Sequence, residues 1–237
     1  MSLDAQAEYF AYLRRAGEVR EVDGAFAVKT GAFSNTENGV VARSAVVDVA
    51  SLVAWFDDAP ASWLDLGGAN HEALVAAGAR PENDGHEMQA RIADLQIESS
   101  DGVTVQSADV AEWFDFAAAH SWFGEQGERV AFERLYHRLV GERFRLTLAC
   151  VDDAVAGFAS AFYGSTFVLL TQVIVDDRVR RRGVATALVA ERISRARELG
   201  CELATLGPSP EGAKLYAALG FELLRAPPDR WYYLPVA

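Results

Sequence analysis

The chain of 237 residues is poor in cysteine, in histidine and in basic charge, and it has no long apolar run. Its two cysteines, Cys150 and Cys201, sit inside apolar strand-like stretches. Neither has a Cys or His neighbour at metal-ligand spacing, so neither a disulfide framework nor a metal site is expected, and a reducing cytoplasm is the expected compartment. No apolar stretch approaches the roughly 18 residues that a membrane-spanning helix needs. The N-terminal MSLDAQAEYFAYLRRAG has no basic segment leading into an apolar one, so no secretory leader is expected. Acidic residues outnumber basic ones by 34 to 22, a formal net charge of −12. Such a surface repels polyanions, which excludes nucleic acid and anionic membranes as partners and leaves cationic small molecules compatible. Two familiar phosphate-binding patterns are also missing: there is no Gly-Lys-Ser/Thr loop and no G-x-G-x-x-G.

What is present is an ordinary globular composition, 51% hydrophobic and 24% charged. The later part of the chain patterns clearly. Strands are expected at 103–108, 144–151, 154–163, 167–175, 202–206, 221–224 and 231–234. Helices are expected at 108–124, 125–140, 183–199 and 211–219, the last two stopped by Gly200 and Gly220. The order β-α-α-β-β-β-α-β-α-β-β is a mixed α/β sandwich. The nearly continuous apolar run at 167–175 predicts a strand buried on both faces. Earlier in the chain, strands are expected at 24–29, 39–42, 63–66 and 87–95, with helices at 49–57 and 71–77 and Asp48 as an N-cap. The polar segment QIESSDG, 96–102, reads as a linker dividing 1–97 from 98–237. A faint echo links the two parts: ALVAAGA (73–79) overlays LYAALGF (215–221), with Leu74 in the place of Tyr216.

The chemistry concentrates in TQVIVDDRVRRRGVAT, residues 171–186. An apolar strand runs out through Val173, Ile174 and Val175. A short loop follows, and a long helix starts at once, with Arg180, Gly183 and Ala185 spelling R-x-x-G-x-A. The first amides of a helix have no partner within it, and its dipole favours an anion there. Gly183 and Ala185 keep the backbone uncovered, and Arg178, Arg180, Arg181 and Arg182 form a basic cluster on an acidic chain. This strand–loop–helix resembles the pyrophosphate-binding segment of the GNAT superfamily of acyl-CoA N-acyltransferases, whose signature is Q/R-x-x-G-x-G/A. AKLYAALGF, 213–221, resembles that family's A-x-x-Y-x-x-x-G-F. The resemblance covers residues 103–235.

The resemblance implies a GNAT fold, with acetyl-CoA as co-substrate and no metal. It also implies a small-molecule amine as acceptor and a monomer or homodimer. By the same likeness Val173, Ile174 and Val175 pair through their backbone with the pantetheine arm. The amides of Arg181, Arg182, Gly183, Val184, Ala185 and Thr186 hold the pyrophosphate beside Arg180. Tyr216 protonates the departing thiolate, as a phenol with a reference pKa near 10 is able to do. Where the family commonly has an asparagine seven residues before this tyrosine, the chain has Ser209, between Pro208 and Pro210. A backbone amide at Val173 or its neighbours is the expected oxyanion donor. The base is left open among His120, His137, Glu112, Glu133 and Asp176. The aromatic set Trp113, Phe114, Phe116, Trp122, Phe123 and Phe132 reads mostly as packing, with Trp122 and Phe123 the better pocket candidates. The earlier part lacks any R-x-x-G-x-G/A and reads as a smaller, degenerate GNAT-like domain, His71, His86 and Trp63 carrying no recognisable chemistry. A non-catalytic acyl-CoA-binding module on the same fold is the alternative. Gly183→Glu is expected to abolish CoA binding while the fold survives.

Overall fold

Strand pairing sorts the chain into two sheets. The computed structural model describes residues 3–44, 47–81, 87–120, 126–224 and 230–236. The chain begins with α1 (Leu3–Leu13), β1 (Glu18–Val22), β2 (Ala25–Lys29) and β3 (Gly39–Ala42). Next come α2 (Val49–Ala54), β4 (Ala61–Asp65), α3 (His71–Ala76) and β5 (Arg80–Pro81). It continues with β6 (Met88–Arg91), β7 (Val103–Ser107), α4 (Val110–Ala119), α5 (Gln126–Leu139), β8 (Phe144–Val151), β9 (Ala154–Tyr163) and β10 (Phe167–Val175). It ends with α6 (Val184–Glu198), β11 (Leu203–Leu206), α7 (Gly212–Ala218), β12 (Glu222–Leu223) and β13 (Trp231–Leu234).

The N-terminal unit comprises residues 2–85, 130–139 and 225–237. Its six-stranded sheet runs β1-β2-β3-β4-β13-β5. Strands β1, β2 and β3 form an antiparallel meander, α2 crosses over to β4 parallel to β3, and β13 lies antiparallel between β4 and β5. The core of this unit gathers Val40, Leu52, Trp63, Leu74 and Tyr232. The C-terminal unit comprises mainly 86–129 and 140–224. Its seven-stranded sheet runs β12-β6-β11-β10-β9-β8-β7. Strands β7 to β10 form an antiparallel meander, α6 crosses over to β11 parallel to β10, and β6 lies antiparallel between β11 and β12. The two units repeat one plan, meander, crossover helix and parallel strand, and each sheet is mixed.

The strands do not sort along the 97/98 division. Met88–Arg91, ahead of the polar segment, is an inner strand of the second sheet, and Trp231–Leu234, at the chain's end, is an inner strand of the first. A polar run marks a loop, and which sheet a strand joins is decided by tertiary pairing that composition does not record. The stretch 92–100 is fastened to α6 and its N-cap: Arg197 donates to the carbonyls of Ile92 and Leu95, and the Ser100 hydroxyl to Gly183 O at 3.3 Å.

Three elements lie outside the sequence expectations. The helix α1 buries Tyr9, Phe10 and Leu13. The strand β1, EVREV, is an exposed sheet edge with no apolar face to betray it, and β5 has two residues. Asp48 caps α2 as expected, accepting from the Ser51 amide at 3.1 Å. Most of the aromatic set is packing. Trp113 and Phe114 are fully buried on α4, the Trp113 indole donates to Ala159 O at 3.0 Å, and its ring meets Phe158 edge-on at 4.6 Å. Phe116 packs on Phe158 and His120, and Phe132 is buried on α5. Trp122, Phe123 and His86 lie outside the described residues.

Candidate functional site

The site builds outward from β10. Phe167, Val168 and Leu169 pair with β11 on one side, and the last parallel pair is Leu169 with Thr205. Beyond it, Leu170–175 has a strand on the β9 side alone. At about 3.3 Å per residue this leaves a strand edge of roughly 20 Å open to an extended partner. The expectation of burial on both faces therefore holds only for Phe167, Val168, Leu169 and Leu170, whereas Thr171, Gln172, Val173, Ile174 and Val175 are half-buried. Apolar composition followed the strand, but the neighbour that would cover it stops short. The open stretch carries a bulge. Thr171 pairs with Ser160 and Ile174 with Phe158, so two residues of β10 face one of β9. Gln172 in the bulge has a φ of 54°.

The loop after β10 ends in an uncapped helix. Asp176 accepts from the Arg178 amide and closes one turn at 177–179. Arg181 and Gly183 have φ of 67° and 80°, with Arg182 of ordinary φ between them. Alternation of hand turns successive amides to one side, which is the geometry of an anion-binding concavity. Gly183 is the N-cap of α6 and offers no side-chain cap. Among the described residues no acceptor is bonded to the amides of Val184, Ala185 and Thr186. Val184 is buried in the core and contributes only its backbone. The expected Gly183→Glu experiment is compromised by position: a Cβ there would lie 2.0 Å from Ser100 Oγ, at a φ that side chains rarely adopt. Any side chain at 183 strains the fold before it meets a ligand.

Three of the four arginines are not free. Arg178 binds Asp176 at 2.6 Å, Arg180 binds Asp177 at 2.6 Å and approaches Glu211 at 3.7 Å, and Arg182 binds Asp152 at 3.0 Å. Arg181 alone is exposed with no ion pair among the described residues. Such surface pairs are weak, about 0–1 kcal/mol, and yield to a stronger anion.

Tyr216, on α7, is 7% exposed, and its ring meets Phe221 edge-on at 5.6 Å. Burial pushes its phenol up, and the positive charge of Arg192 pulls it partly back. Ser209 uses its hydroxyl oxygen to accept from the Gly212 amide at 3.1 Å, so it starts α7 and keeps one proton to donate. Cys201 is buried with its thiol toward Phe167 O, and burial followed by the Asp153 charge pushes the Cys150 thiol up. That shift makes the Cys150 thiolate harder to form.

The base candidates separate. Asp176 accepts from the Arg178 guanidinium and amide and faces His120 Nε2 at 3.2 Å. The Arg178 side chain and amide, then His120, hold its carboxyl well below the usual range, which makes it a poor base. Glu112 closes a capping box with Asp109 at the start of α4. Glu133 and His137 lie on the part of α5 that groups with the N-terminal unit. His71 Nδ1 lies 2.9 Å from the Tyr232 hydroxyl, a structural contact. Sequence reasoning missed Ser100 against Gly183 and Arg192 behind β10, since neither belongs to a motif and both depend on chain folding to arrive there.

The N-terminal unit has the same crossover without the same opening. Its helix α2 follows β3, but Asp48 already occupies the helix start with its own carboxylate. Its helix α3 carries Leu74, fully buried, where α7 carries Tyr216. Among the described residues the C-terminal half thus has an uncapped crossover helix and a tyrosine on its short helix, where the N-terminal half has a capping carboxylate and a leucine.

Residues 105–221 match the model of the Acetyltransferase (GNAT) family. A GCN5-related N-acetyltransferase from Kribbella flavida superposes with a TM-score of 0.68 at 17% identity, covering 98% of this chain and 93% of its own. A tandem GNAT protein from the clavulanic acid biosynthesis pathway superposes at 0.55 and 14% identity, covering 88% of this chain and 77% of its own. A GCN5-related N-acetyltransferase from Sphaerobacter thermophilus superposes at 0.53 and 16% identity, covering 89% and 76%. At such identities the likeness is one of fold. Among curated protein sequences none matches the chain. Residues 105–221 thus carry a GNAT acetyltransferase domain, and the fold of nearly the whole chain is similar to that of GNAT proteins.

Proposed function

We propose that the C-terminal unit is an acyl-CoA-dependent N-acyltransferase that moves an acetyl group from acetyl-CoA to a primary amine of a small molecule by direct attack in a ternary complex. The observation that carries this reading is the contrast at the two crossover helices, where α6 begins uncapped beside an open strand edge and α2 begins filled by Asp48. The pyrophosphate would rest on the amides of Arg181, Arg182, Gly183, Val184, Ala185 and Thr186, with the Arg180 and Arg181 side chains nearby. The pantetheine arm would lie along Val173, Ile174 and Val175, reaching past Ser209.

The chain's own groups then divide the work. An amine that has given up its proton attacks the thioester carbonyl. A backbone amide at the β10 bulge, at Val173 or a neighbour, donates a hydrogen bond to the developing oxyanion; one such donor is typically worth about 10²–10³ in rate. The attacking nitrogen loses its second proton to water, the tetrahedral intermediate collapses with loss of the CoA thiolate, and Tyr216 protonates that thiolate and is reprotonated from solvent. No enzyme-bound acyl group forms. The N-terminal unit is non-catalytic in this reading. Among the described residues no helix is long and apolar enough to cross a membrane. In this reading the enzyme is cytoplasmic and acts as a monomer or homodimer.

The test is CoA binding together with acetyl-CoA turnover over a panel of amines. Tyr216→Phe should lower kcat by about 10²–10⁴, with CoA affinity little changed. CoA binding without turnover on any amine would support a non-catalytic acyl-CoA-binding module. Preference for ATP over CoA would overturn the reading.

A further inference from the structure

Behind the bulge lies a buried cation that the steps above do not use. Arg192, on the third turn of α6, is 1% exposed. Its Nε donates to Leu188 O at 2.8 Å, and its Nη1 donates to Ser160 O at 3.0 Å and to Thr171 O at 3.4 Å. Among the described residues it makes no salt bridge, and its Nη2 has no hydrogen-bond partner. Burial works most against its charge, and Tyr216, Tyr163 and Glu191 beside it work the other way. Burying a cation without an ion pair is costly, so its placement against two backbone carbonyls has to offset that cost.

Those carbonyls belong to one opposed pair. Thr171 and Ser160 face each other at the last regular position before the bulge. A bulge disrupts the ladder around it, and buried carbonyls there need another donor. Arg192 is that donor, and its planar fork suits several carbonyls at once. On the side-chain level Ser160 Oγ meets Thr171 Oγ1 at 2.5 Å and donates to Gln172 Oε1. Gln172 leaves this knot at its positive φ, and Val173 follows on the open edge. The peptide unit is planar and trans, so a fixed Thr171 carbonyl fixes the Gln172 amide and the take-off direction of Val173.

We propose that Arg192 is a positioning residue for acyl transfer: by holding the Thr171 and Ser160 carbonyls it sets the β10 bulge and so aims the Val173 backbone at the thioester carbonyl. The proposal rests on the acyltransferase reading for its consequence, and on the hydrogen bonds for its cause. CoA itself has no acyl carbonyl and is blind to the aim of the oxyanion donor.

Arg192→Met removes the donors and keeps most of the bulk, and Arg192→Lys keeps a charge without the fork. In Arg192→Met, kcat with acetyl-CoA should fall about 10–100-fold, in line with the loss of a well-aimed oxyanion donor, while the Kd for CoA stays within about threefold. Arg192→Lys should recover part of the loss. Hydrogen exchange should quicken at the amides of residues 172–174 and keep its wild-type rate along β8. Wild-type kcat with unchanged exchange at 172–174 would overturn the proposal, and so would a loss of kcat and CoA affinity together with faster exchange throughout the unit. Should Arg192→Met not fold, Arg192→Lys carries the same comparison. If the wild type turns over no amine, the acyltransferase reading has failed by itself. The exchange rates at 172–174 then decide alone whether Arg192 sets the bulge.

Discussion

At the scale of single residues the sequence singles out candidate groups better than it shows their state. Arg180, Gly183, Ala185 and Tyr216 were recognisable from type and spacing. That Arg178, Arg180 and Arg182 are each tied to a carboxylate was not, because Asp152 lies thirty residues from Arg182 in sequence. The same holds for Glu37, an ordinary loop residue by sequence, which the fold buries before β3. Burial pushes its carboxyl from 4.5 up to about 7, against the hydrogen bond from Ser34. Its folded pKa lies above its unfolded one, so the stability it lends is full below about pH 4 and is lost as pH rises toward about 7. Glu37→Gln removes the ionisation while keeping the shape. At about 1.4 kcal/mol per unit, its gain above neutrality has an upper bound near 3 kcal/mol. Urea unfolding should show the variant more stable than wild type at about pH 8 and no different at about pH 4. Equal stability at both values would mean that Glu37 is ionised in the fold. Asp176 runs the opposite way: its depressed carboxyl lends stability that is present at neutral pH and lost in acid.

At the scale of elements, strands with a buried face announced themselves. The spans Phe144–Val151, Ala154–Tyr163, Phe167–Val175 and Trp231–Leu234 were legible to the residue. The charged edge β1 and the helix α1 were not, since one has no apolar face and the other reads as a mild mixture of alanine and aromatics. Start signals for helices proved the most informative about function. A good cap predicts a helix and at the same time fills the place where an anion would sit, so the absence of one before α6 carried more meaning than its presence before α2. This makes stability and binding separable. Thr186→Asp places a negative charge in the first turn of α6, where the helix dipole favours it by about 0.3–1 kcal/mol. The variant should melt at or slightly above the wild-type temperature and bind CoA at least about tenfold more weakly, through repulsion of the pyrophosphate. A melting temperature and an affinity that fell together would show that Thr186 serves the fold and not the ligand.

At the scale of the whole molecule, the duplicated plan was only hinted at by the overlay of residues 73–79 on 215–221. The structure extends that hint to two sheets, of six and seven strands, that share one plan of meander, crossover helix and parallel strand. The traffic of strands between halves was not legible, because neither MQAR nor WYYL carries any mark of which sheet it will enter. Pairing is chosen by the strand edges available, not by the strand alone. Tyr232 and Leu234 are buried with Trp63 in the N-terminal core, and β13 supplies the inner neighbour of both β4 and β5. A chain ended after Leu224 should therefore lose hydrogen-exchange protection in Ala61–Asp65 while keeping it in Phe144–Val151, whose sheet is missing no strand. Retained protection in Ala61–Asp65 would show that β13 decorates its sheet without completing it.

That late strand also sets an order of assembly on the ribosome. Domains ordinarily complete themselves in the order in which they are synthesised. Here Leu64 must wait for Trp231 to emerge before its strand has both neighbours. The C-terminal sheet has all of its strands once residue 223 is made. Until then β4 has a bare edge, and a bare edge is a site for pairing with the wrong chain. The half that is translated first is the half that is finished last.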